Sequence, residues 1–226
     1  AHHATDEATR EQHKRLYEYL VPVVKGWSTE MSIEVASLGV QVHGGMGFIE
    51  ETGAAQYYRD ARILTIYEGT TAIQANDFVG RKTVRDRGAV ARQLLEQVRE
   101  TEQALGERGG EDLVAIAARL RAGREALSRA VDYVVDHFGD DLRSVFAGSV
   151  PYLKLAGAVL CGWQMARAAS KADSMRKAGV GDARFLDAKI ATARFYADHI
   201  LVQAPGLADT IVEGARGVLA IPEAAF

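Results

Sequence analysis

The chain has one cysteine, Cys161, among 226 residues, so no disulfide framework or multi-cysteine metal site can form within it. It also has no basic excess. Lys and Arg number 27 against 30 Asp and Glu, for a net charge of −3, whereas a protein that grips a phosphate backbone needs the opposite balance. Nucleic acid is therefore not an expected partner. Long apolar runs are missing too: the longest, Leu155 to Trp163, is too short to cross a bilayer. The polar start AHHATDEATREQHKR lacks the apolar core of a signal peptide. A reducing, cytoplasmic setting is the expectation, with no membrane partner. No repeat, low-complexity tract or strand-like alternation breaks the chain. His2 and His3 read as a solvated pair, and His43 has no other ligand-type residue at metal spacing, so no metal site is expected.

What is present suits a folded helical protein. At 48% hydrophobic and 25% charged residues, the chain can bury one sizeable core or two small ones. From Leu20 to Val42, Val24, Trp27, Met31, Val35 and Leu38 recur at helical spacing until Gly44-Gly45 stops the helix. Pro22 fits only near the first turn or as a kink. Met46 to Glu51 reads as loop, Thr52 to Arg59 as a short helix and Ala61 to Tyr67 as an extended connector. A further helix is expected to begin around Glu68 to Thr71 and reach about Arg85, with Lys82, Arg85 and Arg87 at its negative end.

Beyond Gly88 the pattern becomes that of a bundle. Val90, Leu94, Val98 and Leu105 outline one amphipathic helix, and Leu113, Ile116, Leu120, Leu127, Val134 and Phe138 a second across Gly109-Gly110. Ser149 to Lys177 forms a third, with Ala156, Gly157, Ala158, Gly162 and Ala166 small enough for close packing. Leu186, Ile190, Ala197 and Leu201 mark a fourth, ended by Pro205-Gly206, and a tail helix runs from Leu207 to about Leu219. Four to five helices with short turns imply a bundle. The fold class is all-α, with a boundary between residues 1–88 and 89–226.

The densest chemistry lies in residues 41–74, QVHGGMGFIEETGAAQYYRDARILTIYEGTTAIQ. A double glycine, an Arg-Asp pair and an acidic residue between Tyr67 and Gly69 follow in that order. Gly44-Gly45-Met46-Gly47 does not match GxGxxG, and no strand precedes it, so a dinucleotide-binding turn is excluded. The HGG, RDAR and YEGT elements at this spacing resemble the C-terminal domain of the acyl-CoA dehydrogenases, flavoenzymes that oxidise the α,β bond of acyl-CoA thioesters. The resemblance implies that the chain is a C-terminal fragment, since the N-terminal helical and middle β-domains of that family are not represented.

The same resemblance makes Glu68 the catalytic base. An α-hydrogen beside a thioester is weakly acidic, and a carboxylate removes it only while the carbonyl oxygen is polarised. In the family that oxygen receives hydrogen bonds from the flavin ribityl chain and from the backbone N–H of the catalytic glutamate. Gly69 would let substrate approach the main chain, and Tyr67 would line the thioester region or pack. FAD would accept the β-hydrogen as hydride. Gln41, Val42, His43, Gly44 and Gly45 would touch the ADP end of an FAD held mainly by the neighbouring subunit. Thr70, Thr71 and Ala72 match a second flavin-contacting stretch, with Thr70 also suited to a helix N-cap. Arg59-Asp60 and Arg62 read as an ion pair or cap fixing the connector. Shorter-chain members commonly carry an arginine further along the helix after the base. Here Gly80 stands at that place with Arg81 beside it, and the role is not carried over.

IQANDFVGRK, VPYLKLAGAVLCGWQMARAA and DAKIATARFYADHIL are similar to a subgroup of larger bacterial members with an extra C-terminal helical domain. That subgroup implies acyl-CoA substrates, electron-transfer flavoprotein as electron acceptor and a homodimer. The competing reading is a catalytically inert helical fragment whose role is assembly.

Overall fold

The computed structural model describes residues 6–225, and His2 and His3 lie outside them. Every regular element among the described residues is helical, as the sequence pattern predicts. No helix among them is long and apolar enough to cross a membrane.

The first helix, α1, runs Glu7–Val42. Asp6 caps it by accepting the Thr9 N–H at 2.8 Å, satisfying one of the donors that a helix start leaves open. Pro22 sits well inside the helix and is buried. The expected face is partly wrong: Val24, Val35 and Leu38 are exposed, while Tyr19, Val23 and Trp27 are buried. The helix carries two apolar stripes one residue apart, and the packed stripe is the one bearing the aromatic rings.

Two further predictions need correction. Residues 46–51 are not loop but a short helix, α2 (Gly45–Phe48), followed by a 3₁₀ turn over Glu50–Thr52. Residues 61–67 are not extended, because α3 continues over Ala54–Ile63. The Ile66 and Tyr67 N–H groups then fold back onto the Ile63 carbonyl at 3.0 and 3.2 Å. With no strand among the described residues to pair against, such turn bonds are how this backbone satisfies its polar groups. The next helix is shorter than expected: α4 covers Thr71–Asp77 and widens into a π-helical turn over Phe78–Thr83. Five-residue bonds mark it, from Val84 N–H to the Val79 carbonyl and from Gly88 N–H to Thr83, at 3.0 and 2.8 Å.

The remaining helices are α5 (Ala89–Arg108), α6 (Glu111–His137), α7 (Leu142–Ala147), α8 (Ser149–Lys177), α9 (Ala183–His199), α10 (Ala204–Glu213) and α11 (Ala215–Val218). The short α7 was not foreseen. Pro205 starts α10 rather than stopping α9, since an N-terminal position has no N–H to forfeit. Central to the bundle is α8, which packs against α1, α4, α5, α6, α9 and α10. A methyl group on Gly162 would fall 2.7 Å from Leu201 Cδ1, and one on Gly157 would fall 2.3 Å from Trp27 Cγ. Inside the α5–α6 pair, buried Glu102 accepts two bonds from Arg124 at 3.0 and 3.1 Å.

Residues 6–88 and the later helices share one core. At the seam the Phe78 ring lies 4.9 Å from both Tyr19 and Tyr152, and the hydroxyls of Thr83 and Tyr152 are 3.0 Å apart. Burial pushes the Tyr152 phenol up to about 12. Tyr19 is raised as well, by burial first and then by Tyr152. An unfolded tyrosine ionises near ~10, so between about 10 and about 12 the folded state holds protons that the unfolded state has lost. This contribution to stability is full below pH ~10 and declines as pH rises through that window. In an alkaline titration, Tyr19, Tyr152 and Tyr196, whose phenol burial also raises, are expected to ionise last among the eight tyrosines, together with loss of helical circular dichroism. Ionisation of every tyrosine near pH ~10 with the helices intact would contradict this.

Candidate functional site

The residues singled out in the sequence fall into two groups. The first is the end of α1. Residues 41–45 are all exposed, and Gly44 adopts φ 60, ψ −145, a region that favours glycine. Space around Gly44 and Gly45 is open, whereas a methyl on Gly47 would lie 2.2 Å from the Val40 carbonyl oxygen. His43 is committed locally, its Nδ1 donating to the Gly39 carbonyl at 2.8 Å.

The second group is the turn between α3 and α4. Glu68 is exposed and has φ 53, with Gly69 at φ 97 beside it. A non-glycine residue held there costs on the order of 1–3 kcal/mol and persists only when its surroundings fix it. Those surroundings come largely from α1. Lys25 Nζ donates to the carbonyls of Leu64 at 2.7 Å and Tyr67 at 3.1 Å, and lies 4.6 Å above the half-exposed Tyr67 ring. On the other side of Glu68, the Thr71 hydroxyl donates to Glu30 of α1, and the Thr71 N–H donates to the Thr65 carbonyl at 3.3 Å. Thr70 is the N-cap of α4, accepting the Ile73 N–H at 3.4 Å, and Ala72 is exposed in the first turn. Glu68 thus precedes the cap instead of standing in the helix.

Arg59 and Asp60 are not paired with each other. Arg59 meets Glu50 at 3.5 Å, and Asp60 accepts from Gln56 at 2.7 Å. Arg62 binds the Thr65 hydroxyl, and Arg81 pairs with Asp77 on its own turn. The structure does not bring the two groups together within one copy: Lys25, which touches Tyr67, and Val42 are 17 residues apart on α1, roughly 25 Å at the helical rise. Lys25 and Glu30 were missed in the sequence. The available signal was a lysine embedded in the apolar run Val23-Val24-Lys25-Gly26-Trp27.

Two family profiles match the chain. "Acyl-CoA dehydrogenase, C-terminal domain" covers residues 1–82, and "Acetyl-CoA dehydrogenase C-terminal like" covers 94–222. The 3-methylmercaptopropionyl-CoA dehydrogenase of Ruegeria pomeroyi is 52% identical over 90% of this chain and 34% of its own length. A broad-specificity linear acyl-CoA dehydrogenase of Mycobacterium tuberculosis is 33% identical over 94% of the chain and 36% of its own length. A subunit of the caffeyl-CoA reductase-Etf complex of Acetobacterium woodii is 42% identical over 23% of the chain and 14% of its own length. The chain spans about a third of the length of the first two relatives. With the first profile spanning the HGG and YEGT segments, the second spanning most of the later helices, and a relative 52% identical over 90% of it, the chain belongs to the acyl-CoA dehydrogenase family, as a C-terminal helical part of such a protein.

Proposed function

We propose that this chain is the C-terminal part of an FAD-dependent enzyme that oxidises acyl-CoA to trans-2-enoyl-CoA, with Glu68 as the base. The observation that carries this reading is the Tyr67-Glu68-Gly69 turn. Its left-handed backbone leaves the Glu68 carboxylate exposed and its N–H without an acceptor among the described residues. A carboxylate and a free main-chain donor on one residue are the two groups that α-proton removal from a thioester needs at once. Glu68 takes the α-proton while its N–H supports the charge gathering on the thioester oxygen. Gly69, at φ 97, has no side chain to add beside the base, where an added methyl would meet the Gln74 amide at 2.8 Å, and the Tyr67 ring borders the turn. FAD, held by residues 41–45 and 70–72, would supply the acceptor for the β-hydrogen and its electron pair.

The exposed residues Gln41, Val42, His43, Gly44 and Gly45 fit an FAD contact because both glycines leave the main chain accessible. Thr70, Thr71 and Ala72 fit a second contact beside the base. The roughly 25 Å of helix between these groups supports a homodimer in which each FAD meets residues 41–45 of one subunit and residues 70–72 of the other. Residues 1–88 would be the catalytic-domain segment and 89–226 an appended bundle. The relative from an Etf complex supports electron-transfer flavoprotein as the acceptor, and the lone Cys161 supports a cytoplasmic setting.

The 52% identical relative makes 3-(methylthio)propionyl-CoA the first substrate to try. The full-length protein is expected to purify yellow, to bleach anaerobically with this thioester, and to release a product two hydrogens lighter. Linear acyl-CoAs are expected to be poorer substrates by kcat/KM. A colourless protein, or a flavin that no acyl-CoA bleaches, would refute the proposal.

A further inference from the structure

We infer that Lys25 is a positioning residue for the reaction, acting through the Tyr67–Glu68 peptide to aim and strengthen the Glu68 N–H that meets the thioester oxygen. The inference rests on the reading of Glu68 given above.

The geometry begins with the peptide plane. No peptide bond is cis, so the Tyr67 carbonyl and the Glu68 N–H lie in one rigid plane and point in opposite directions within it. Whatever holds the carbonyl therefore also sets the direction of the N–H. Lys25 holds it at 3.1 Å, and the preceding Leu64 carbonyl at 2.7 Å, with its ammonium over the Tyr67 ring. These contacts reach 39 and 42 residues along the chain, so they belong to the tertiary fold. A charged donor on a carbonyl draws electron density from the amide, which makes the attached N–H a stronger donor.

A lysine on a helix surface ordinarily pairs with a carboxylate or stays in water. None of the ion pairs among the described residues involves Lys25; its ammonium is spent on two main-chain carbonyls. The neighbouring tie from Thr71 to Glu30 fixes the far side of the same turn. Between them, two side chains from successive turns of α1 hold Glu68 at a φ of 53, a conformation that an unsupported loop would leave.

The test uses the full-length flavoprotein with Lys25→Met, Lys25→Gln, Lys25→Arg and Glu68→Gln variants. Isotope-edited infrared spectra of a bound trans-2-enoyl-CoA, labelled at the thioester carbon, report the hydrogen bonding of that carbonyl directly and need no turnover. In the parent the band is expected below its frequency in free enoyl-CoA. Lys25→Met and Lys25→Gln are expected to return it part of the way, with normal flavin content, kcat down about tenfold and KM little changed. That is a smaller loss than the roughly 10²–10³-fold that follows complete removal of an oxyanion donor. Lys25→Arg, which keeps the charge, is expected to restore most of the shift.

An unchanged band in Lys25→Met, in a protein whose Glu68→Gln variant is inactive, overturns the lysine assignment alone. Near-normal turnover in Glu68→Gln instead overturns the reading of the base. Loss of flavin from both Lys25→Met and Lys25→Gln would also overturn the inference, because the lysine would then be holding the fold rather than aiming one donor.

Discussion

Replacing Glu68 by Gln in the full-length enzyme is expected to abolish α-proton removal while FAD and acyl-CoA still bind. Gln preserves length, shape and polarity, and both residues meet the same backbone demand at φ 53. The side chain is exposed, so no packing is lost and stability changes within about 0.5 kcal/mol. What disappears is the capacity to accept a proton. A positioned general base contributes roughly 10²–10⁴-fold, and because no second carboxylate lies in the Ile66-to-Ala72 turn, the loss is expected at or above the upper end. Stopped-flow bleaching of the flavin measures it, and exchange of α-deuterium from labelled acyl-CoA isolates the proton step from hydride transfer. Parent-like exchange in the variant would place the base elsewhere. Glu68→Asp is the informative companion: it keeps the carboxylate but retracts it by one methylene, and misplacement on the order of 1 Å costs about 10²-fold.

Much of this architecture was legible because long helices state their register repeatedly. Ser149–Lys177 came out of the sequence with the bounds it has in the structure, since no glycine or proline in it demands a non-helical backbone. The short elements were harder. Six-residue α7 is less than two turns and offers no period to read. Residues 61–67 read as an extended connector, yet local bonds to the Ile63 carbonyl decide that segment. For α1, spacing identified a helix but not its buried side, because Val24, Val35 and Leu38 form as regular a row as Tyr19, Val23 and Trp27. The site divided in the same way. YEGT and HGG are contiguous motifs and declare themselves, whereas Lys25 acts on carbonyls 39 and 42 residues away, a relation no local pattern encodes.

The second large effect is expected at Gly157, where α8 passes α1. Its added methyl would lie 2.3, 2.5 and 2.7 Å from Cγ, Cδ2 and Cβ of Trp27. These are the rigid root of the indole, not the end of a flexible chain, so rotation of a side chain cannot relieve the clash. Nor can α1 slide easily, since Gly26 meets Leu153 of α8 just as closely, at 2.4 Å for its own added methyl. Gly157→Ala must therefore part the helices and open a seam whose burial holds residues 6–88 to the bundle. Overpacking of this kind costs about 1–3 kcal/mol, and the absence of local relief points to the top of that range. The ordinary gain from replacing a helical glycine by alanine, roughly 0.5–1 kcal/mol, opposes it and is too small to prevail. Gly106→Ala supplies that gain without the clash, because nothing lies within 4 Å of its added methyl. Thermal or urea unfolding of the full-length protein is expected to lower stability for Gly157→Ala and raise it slightly for Gly106→Ala. Combining Gly157→Ala with Trp27→Leu is expected to recover part of the loss, with a coupling of about 0.5–3 kcal/mol. Equal stabilities for the two single variants would mean that the helices can separate at no cost. Because Lys25 lies two residues from Trp27 on α1, parting the seam is also expected to lower kcat along with stability, and the Trp27→Leu combination to restore both together.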